Sequence, residues 1–152
     1  MDAPGLLSGA SAEALALFIA AFGAATILPF QSELLFVALQ VRGGLDVVTL
    51  IVVASLGNIL GSVLNYWMGR GIERFRHSRW FPVSERQLTR AQDWYARWGA
   101  PSLLLSWAPF GDGFTVIAGM MRLNWAVFLL LVSLAKTGRY VALAWGTAVV
   151  GG

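Results

Sequence analysis

The chain is 152 residues long, enough for one domain and no more. It is 57% hydrophobic and 12% charged, with a mean hydropathy of +0.67, so it reads as an integral membrane protein rather than a soluble one. It has no cysteine, which excludes disulfides, zinc–cysteine sites and thiol catalysis. The net charge of +3 says less than its distribution: no Lys or Arg precedes Arg42, whereas 70–97 packs seven arginines against three acids. By the positive-inside rule that middle segment is cytoplasmic and the N-terminus lies on the far side. The first residues lack the basic region that opens a cleavable signal peptide.

In chain order, 1–11 is a tail of small residues. An apolar helix is expected from Ser11 or Ala12 to about Leu28. Pro29 breaks it, because proline has no N–H for the helical ladder and its ring clashes with the preceding turn. A short helical piece follows over 32–41. Together the pieces give roughly 40 Å of helix, more than one crossing of about 30 Å and less than two. A re-entrant hairpin fits better than a single kinked, tilted span. Glu33 sits in this apolar setting, where a central charge costs about 2.5–3.5 kcal/mol on the lenient insertion scale.

Arg42-Gly43-Gly44 reads as a turn, with Asp46 at the outer interface, and 45–69 is long enough for a full span. Ser55, Asn58, Ser62 and Asn65 recur on one helical face, beside the small-xxx-small pair Gly57 and Gly61. That stripe either ties helices together or faces a polar cavity. The loop over 71–82 is basic and contains the single histidine, His77, which reads as a solvated residue. Ser84 to Gln87 forms an S-x-x-Q capping box, so a helix is expected to begin at Ser84. Leu88, Ala91, Tyr95 and Trp98 share one of its faces, and Arg86, Arg90, Asp93 and Arg97 the other. This is an interfacial amphipathic pattern, better matched to a cytoplasmic leaflet than to nucleic acid.

Gly99-Ala100-Pro101 ends that helix. A second pair of half-length helical pieces, 102–108 and 114–121, flanks a break at Pro109, Gly111 and Asp112. The last span, 123 to about 150, carries Lys136 and Arg139. Lys136 lies about 21 Å beyond Arg122, too deep to snorkel, and needs a partner.

The halves echo each other. Pro29-Phe30 with Glu33 matches Pro109-Phe110 with Asp112 at an offset of 80, and Ser55-Leu56 with Trp67 matches Ser133-Leu134 with Trp145 at 78. Each half reads as a broken hairpin followed by a full span. With the basic middle inside, the hairpins enter from opposite faces, the inverted-repeat architecture of many secondary transporters. The expected fold is thus an all-α integral membrane domain over 1–152, with two re-entrant hairpins, two full transmembrane helices and an interfacial helix. Repeat 1 covers about 12–70, the cytoplasmic loop and amphipathic helix 71–98, and repeat 2 about 99–151. Glu33, Asp112, Lys136 and Arg139 are expected to converge on one polar chamber, with Lys136 near Glu33.

The pattern Gly57-x-x-x-Gly61-x-x-x-x-Tyr66-x-x-Gly69-Arg70 resembles a signature of the DedA superfamily, also called SNARE-associated or VTT-domain proteins. Pro29-x-x-Ser32-Glu33 is similar to that family's first re-entrant motif, and Ala118-Gly119 also fits. Leu56-Gly57-Asn58, Ser106-Trp107-x-Pro109 with Gly111-Asp112, and Lys136-x-x-Arg139-Tyr140 look like the short YqaA-type branch. The resemblance implies two opposed re-entrant hairpins and, for some members, proton-motive-force-linked translocation of lipid phosphates such as undecaprenyl phosphate. Flippase-type members carry arginines three residues before and after the second-loop proline. Ser106 and Asp112 stand there instead, and Ala25 and Thr26 replace the upstream acid of the first motif. Lys136 and Arg139 would then supply the missing cationic charge.

The expected function is a flippase-like transporter of the bacterial inner membrane, moving a lipid phosphate or other amphipathic anion with protons. Glu33 would carry the coupling proton, with Asp112 the second candidate. Lys136, Arg139 and Asn58 would bind phosphate, Arg139 as a bidentate fork. Arg70 is an interface anchor or gate. The expected partners are anionic lipid or polyprenyl phosphate and protons. Nucleic acid, cofactor and metal are not expected, and homo-oligomerisation is left open. The rival readings are a non-transporting scaffold whose buried charges are structural and an intramembrane lipid enzyme, for which no nucleophile–base pair is evident.

Overall fold

The helix in the middle of the chain carries its polar residues inward and its apolar ones outward. Ser55, Asn58, Ser62 and Asn65 are buried, while Val48, Val52, Leu56, Leu60, Leu64 and Trp67 are exposed on the opposite side. A soluble helix shows the reverse arrangement, and lipid is the solvent that makes this one stable. The computed structural model describes residues 9–26, 31–71, 84–107 and 111–152. Leu28, Pro29, His77, Trp80, Phe81, Pro82 and Pro109 lie outside the described residues, as do the side chains of Gln87, Leu88 and Ala91.

Among the described residues every regular element is helical: α1 (Gly9–Thr26), α2 (Gln31–Arg42), α3 (Val47–Arg70), α4 (Glu85–Trp98), the 3₁₀ helix η1 (Ala100–Trp107), α5 (Gly113–Met120) and α6 (Trp125–Gly151). Three of them, α1, α3 and α6, are long and apolar enough to cross a membrane. The expectation counted two full spans; α1 adds a third by length, its 18 residues giving about 27 Å. The piece expected as an ordinary helix over 102–108 is instead a tight 3₁₀ turn sequence. It follows Gly99, which is at φ +64°, with the Ser102 N–H and hydroxyl both donating to the Gly99 carbonyl.

Caps explain several boundaries. Asp46 accepts from the Thr49 N–H at 2.9 Å and from its hydroxyl at 2.6 Å, opening α3. Asn124 does the same for α6 through the Ala126 N–H. Between α5 and α6 the chain reverses at Arg122, which takes a left-handed φ of 52°. The Leu123 N–H then donates to the Ala118 carbonyl, and the Tyr66 hydroxyl donates to the Leu123 carbonyl at 2.6 Å.

α1 packs along α3, η1 packs along α6, and α3 and α6 meet at the centre. α2 leans on α6 and α5 on α3, while α4 rests on α5 and η1. Arg42 at the end of α2 sits 3.1 Å from Glu13 near the start of α1, so the two helices run antiparallel with those ends level. One core cluster joins Leu17, Phe36, Leu50 and Tyr140; a second joins Tyr66, Leu103, Phe128 and Val132.

Close backbone approach holds α3 to its neighbours. A Cβ on Gly69 would lie 1.9 Å from the Val116 carbonyl oxygen, and one on Gly119 would lie 1.9 Å from that of Tyr66. Gly57 and Gly61 face α1 in the same way, at 2.5 Å from the Phe18 carbonyl and 2.6 Å from that of Phe22. Lipid supplies no hydrophobic drive between helices, so such contacts carry the association.

Gly119→Ala should therefore lower thermal stability in detergent by about 1–3 kcal/mol, the usual range for overpacking. Gly138→Ala, whose Cβ meets nothing within 4 Å, should leave it unchanged or slightly raised. A second prediction concerns Asp46, whose carboxyl the Thr49 side chain and backbone hold below its ordinary value of 3.8. A depressed folded pKa gives stability that is present above the unfolded value and lost as pH falls through the folded one. Asp46→Ala should thus melt below the parent at neutral pH, and the gap should close in strong acid. A gap independent of pH would show that the carboxylate is not the cap.

Candidate functional site

The site is built around one turn of α6. Lys136 and Arg139 are three residues apart, so they point about 60° from each other around the helix. That phase difference gives them different partners. Arg139 faces α2, where its guanidinium donates to Glu33 Oε1. Lys136 is fully buried and faces the other side; its Nζ donates to Asp112 Oδ1 at 2.5 Å and to the Ser106 carbonyl at 3.0 Å. The expectation that Lys136 lies by Glu33 is corrected here: Lys136 takes Asp112, and Glu33 takes Arg139. The two acids and two cations balance in charge.

Each acid stands at the start of a helix. Glu33 lies in the first turn of α2, and Asp112 is the N-cap residue of α5. Unpaired N–H groups and the positive end of the helix dipole favour a carboxylate at both places. The Asp112 side chain makes no capping bond, which leaves it free for Lys136. Ser106, at the end of η1, supplies its carbonyl to the same ammonium. Gly111 is buried beside this turn, whereas Pro29 and Pro109 lie outside the described residues.

The α3 stripe links the two charge pairs. Asn58 Nδ2 donates to the Tyr140 hydroxyl at 3.1 Å, and that hydroxyl is also 3.1 Å from Ser32 Oγ, next to Glu33. Asn65 Nδ2 donates to the Ala25 carbonyl at 2.9 Å and to Thr115 Oγ1 at 3.2 Å; Thr115 in turn donates to the Asp112 carbonyl at 2.6 Å. The amide N–H groups thus act as ties between helices. The carbonyl oxygens of both asparagines, with Ser55 Oγ and Ser106 Oγ, are buried and have no hydrogen-bond partner among the described residues. Such acceptors suit a transient guest with protons to donate.

Arg70 lies twelve residues beyond Asn58, about 18 Å along α3, and outside this network. Its guanidinium donates to the Tyr66 hydroxyl at 3.3 Å and lies over the Tyr66 and Trp67 rings at 5.8 and 5.5 Å. Trp67 and Trp125 are neighbours there at 5.7 Å, an aromatic group typical of a membrane–water boundary. Among the described residues no cluster of ligating side chains could hold a metal ion.

Sequence reasoning named the four charges and the stripe but gave no role to Tyr140, Thr115 or Ser32. Tyr140 is fully buried and joins α2, α3 and α6 through one oxygen. The available signal was a phenol in an apolar span directly after Arg139, where its hydroxyl must find a partner.

Comparison with known proteins agrees with this architecture. The VTT domain model matches residues 16–148. A protein of Haemophilus influenzae named only as uncharacterized is 44% identical over 135 residues, 84% of this chain and 82% of its own length. Inner membrane protein YqaA of Escherichia coli is 38% identical over 132 residues, covering 86% and 88%. Undecaprenyl phosphate transporter A of Staphylococcus aureus is more distant, 28% identical over 127 residues, 73% of this chain and 60% of that protein. No solved structure matches the chain. With the domain model spanning α1 to α6 and the YqaA protein aligned along most of both lengths, the chain belongs to the VTT-domain (DedA) family, in its short YqaA-type branch, and is a protein of the bacterial inner membrane.

Proposed function

We propose that this protein moves a lipid phosphate, or another amphipathic anion, across the inner membrane by exchanging it against carboxylates that release their cations when protonated. The observation that carries the reading is the pair of acid–cation contacts on one turn of α6, Glu33 with Arg139 and Asp112 with Lys136. A phosphate needs what each acid already holds. Protonation of Glu33 would free the Arg139 fork for a bidentate phosphate, and departure of the anion would restore the pair and expel the proton. Asp112 and Lys136 would form the second stage, and Asn58 Oδ1, which has no partner among the described residues, would accept a hydrogen bond from the hydroxyl of a monoprotonated phosphate. Arg70 and its tryptophans serve as an inner anchor or gate. The name of the Staphylococcus relative supports the substrate class at a distance.

The proposal includes two opposed re-entrant hairpins. The Glu13–Arg42 contact supports the first: although α1 is long enough to cross when taken whole, only about 20 Å of it lies beyond that level, and α2 returns about 17 Å. The second would be η1 and α5, whose eight residues each give about 16 and 12 Å. Helix contacts support an inverted repeat. Exchanging α1 with η1, α2 with α5 and α3 with α6 turns α1–α3 packing into η1–α6 packing, and α3–α5 into α6–α2. The central α3–α6 contact maps onto itself. The basic residues of 71–98 would then face the cytoplasm.

A scaffold with structural charges is the second reading, favoured by the mutual satisfaction of all four groups. Paired substitutions separate the two. Breaking one pair, as in Lys136→Met, should destabilise by about 3–5 kcal/mol, because it strands a buried charge. Removing both members, as in Asp112→Asn with Lys136→Met, should preserve or raise stability. In liposomes, headgroup accessibility of a lipid phosphate should change faster with an imposed pH gradient. Glu33→Gln with Arg139→Gln should fold and abolish that response. Undiminished flux in the folded double variant, or no flux from the parent with any lipid phosphate, would overturn the transport reading.

A further inference from the structure

Beyond the charge pairs lies an apolar groove that the transport cycle above does not use. It runs between α2 and α6 with a volume of about 470 Å³, within the range of small-molecule sites, and Val37, Val41, Leu143, Gly146, Thr147 and Val150 are among the residues lining it. Its walls present almost no polar surface, and Thr147 turns its hydroxyl back to the Leu143 carbonyl at 2.9 Å. Gly146 forms part of the floor, and a Cβ there would meet nothing within 4 Å. Gln40 ties the two helices together by donating to the Ala144 carbonyl at 2.9 Å.

The groove is continuous with the charged site by helical register. Glu33, Val37 and Val41 follow each other at four-residue steps on α2, and Arg139, Leu143, Gly146 and Val150 share one face of α6. α2 and α6 run in parallel here, since Ser32 meets Tyr140 and Gln40 meets Ala144. The Glu33–Arg139 pair therefore stands one turn from the groove's inner end. From Arg139 to Val150 is about 16 Å.

Resting on the transport reading for its headgroup, we infer that this groove seats the single hydrocarbon chain of a lipid phosphate whose phosphate lies at Arg139. Charge complementarity selects the occupant: Arg139, released when Glu33 is protonated, calls for an anionic head, and the apolar trough beyond it calls for a chain. The groove is a single furrow between α2 and α6, so one chain is assigned to it. The pose also has a direction. The head points toward the start of α6 and the chain toward its end, which in the topology above is the orientation of a cytoplasmic-leaflet lipid. An outer-leaflet lipid resting in the same furrow would lie the other way round.

Photo-crosslinking of the full-length protein in nanodiscs tests both occupant and direction. The probes are single-chain alkyl phosphates with a diazirine either next to the phosphate or at the chain end, beside a diazirine phosphatidylcholine. The head-proximal probe should label Val37 and Leu143, and the chain-end probe Val41 and Val150, with unlabelled alkyl phosphate competing. Gly146→Phe should cut this labelling at least tenfold without a change in melting temperature, whereas Gly138→Ala should not affect it. Reversed label order would overturn the pose, and equal labelling by phosphatidylcholine would mean that the groove holds bulk lipid only. Crosslinking reads binding, so an absence of flux in the liposome assay would overturn transport and leave the seat intact. Normal flux in Gly146→Phe would overturn the seat and leave transport intact.

Discussion

A fully buried lysine in an apolar span is the constraint on which the rest of this structure depends. Lys136 has no exposed surface, so in this arrangement its charge has to be met by groups of the protein itself. An isolated ammonium in such a place would be expelled or neutralised. Two elements from elsewhere in the chain must therefore bring oxygen atoms to it, and they do: Asp112 before α5 and the carbonyl of Ser106 at the end of η1. A continuous helix over 100–120 could not deliver both, because its carbonyls would be consumed by its own ladder. The short 3₁₀ segment and the turn before α5 exist at the depth where Lys136 requires acceptors.

The same logic shapes the first half. Arg139 needs a carboxylate, and Glu33 is available because a new helix begins at Gln31 and places it in the first turn. Bringing α2 and α5 onto the central pair requires α3 to lie very close to α1 and α5. Glycines at 57, 61, 69 and 119 allow that approach, each where a Cβ would strike a neighbouring carbonyl. Polar side chains then face inward along α3 because the outward side meets hydrocarbon. Backbone contact and charge pairing thus reinforce each other, in place of a hydrophobic effect that lipid cannot provide.

Much of this was legible in the chain. Hydropathy gave the membrane class, three-residue and four-residue spacing gave the α3 stripe, and the observed ends of α2, α3, α4 and α6 fall within two residues of those expected. The lysine's depth announced that it needed a partner. Which acid would serve it was not legible, because that depends on the rotation of α6 relative to two other elements. The 3₁₀ form of η1 was hidden as well: an apolar run after Pro101 reads the same for either helix type. Tyr140 figured only in a family pattern and was given no role, because a tyrosine in an apolar span is ordinary until three helices are seen to meet at its oxygen.

Neutral pairing is what a structural and a transport role have in common, so the stability of the charges argues for neither. One feature of the geometry favours the proposed transport role. Buried ion pairs are often matched or bettered by apolar residues of similar volume, so a purely structural site is under little physical compulsion to keep four charges. It is under none to place them beside buried acceptors that have no partner among the described residues, such as Asn58 Oδ1, Asn65 Oδ1 and Ser106 Oγ. A site that must hold an anion for part of a cycle has both needs. Its cations must be balanced when the guest is away, which the carboxylates accomplish. Its neutral acceptors must remain available when the guest arrives carrying a proton. On the transport role proposed above, Glu33 and Asp112 would occupy the positions of the substrate between visits, and protonation would be the step that makes them yield.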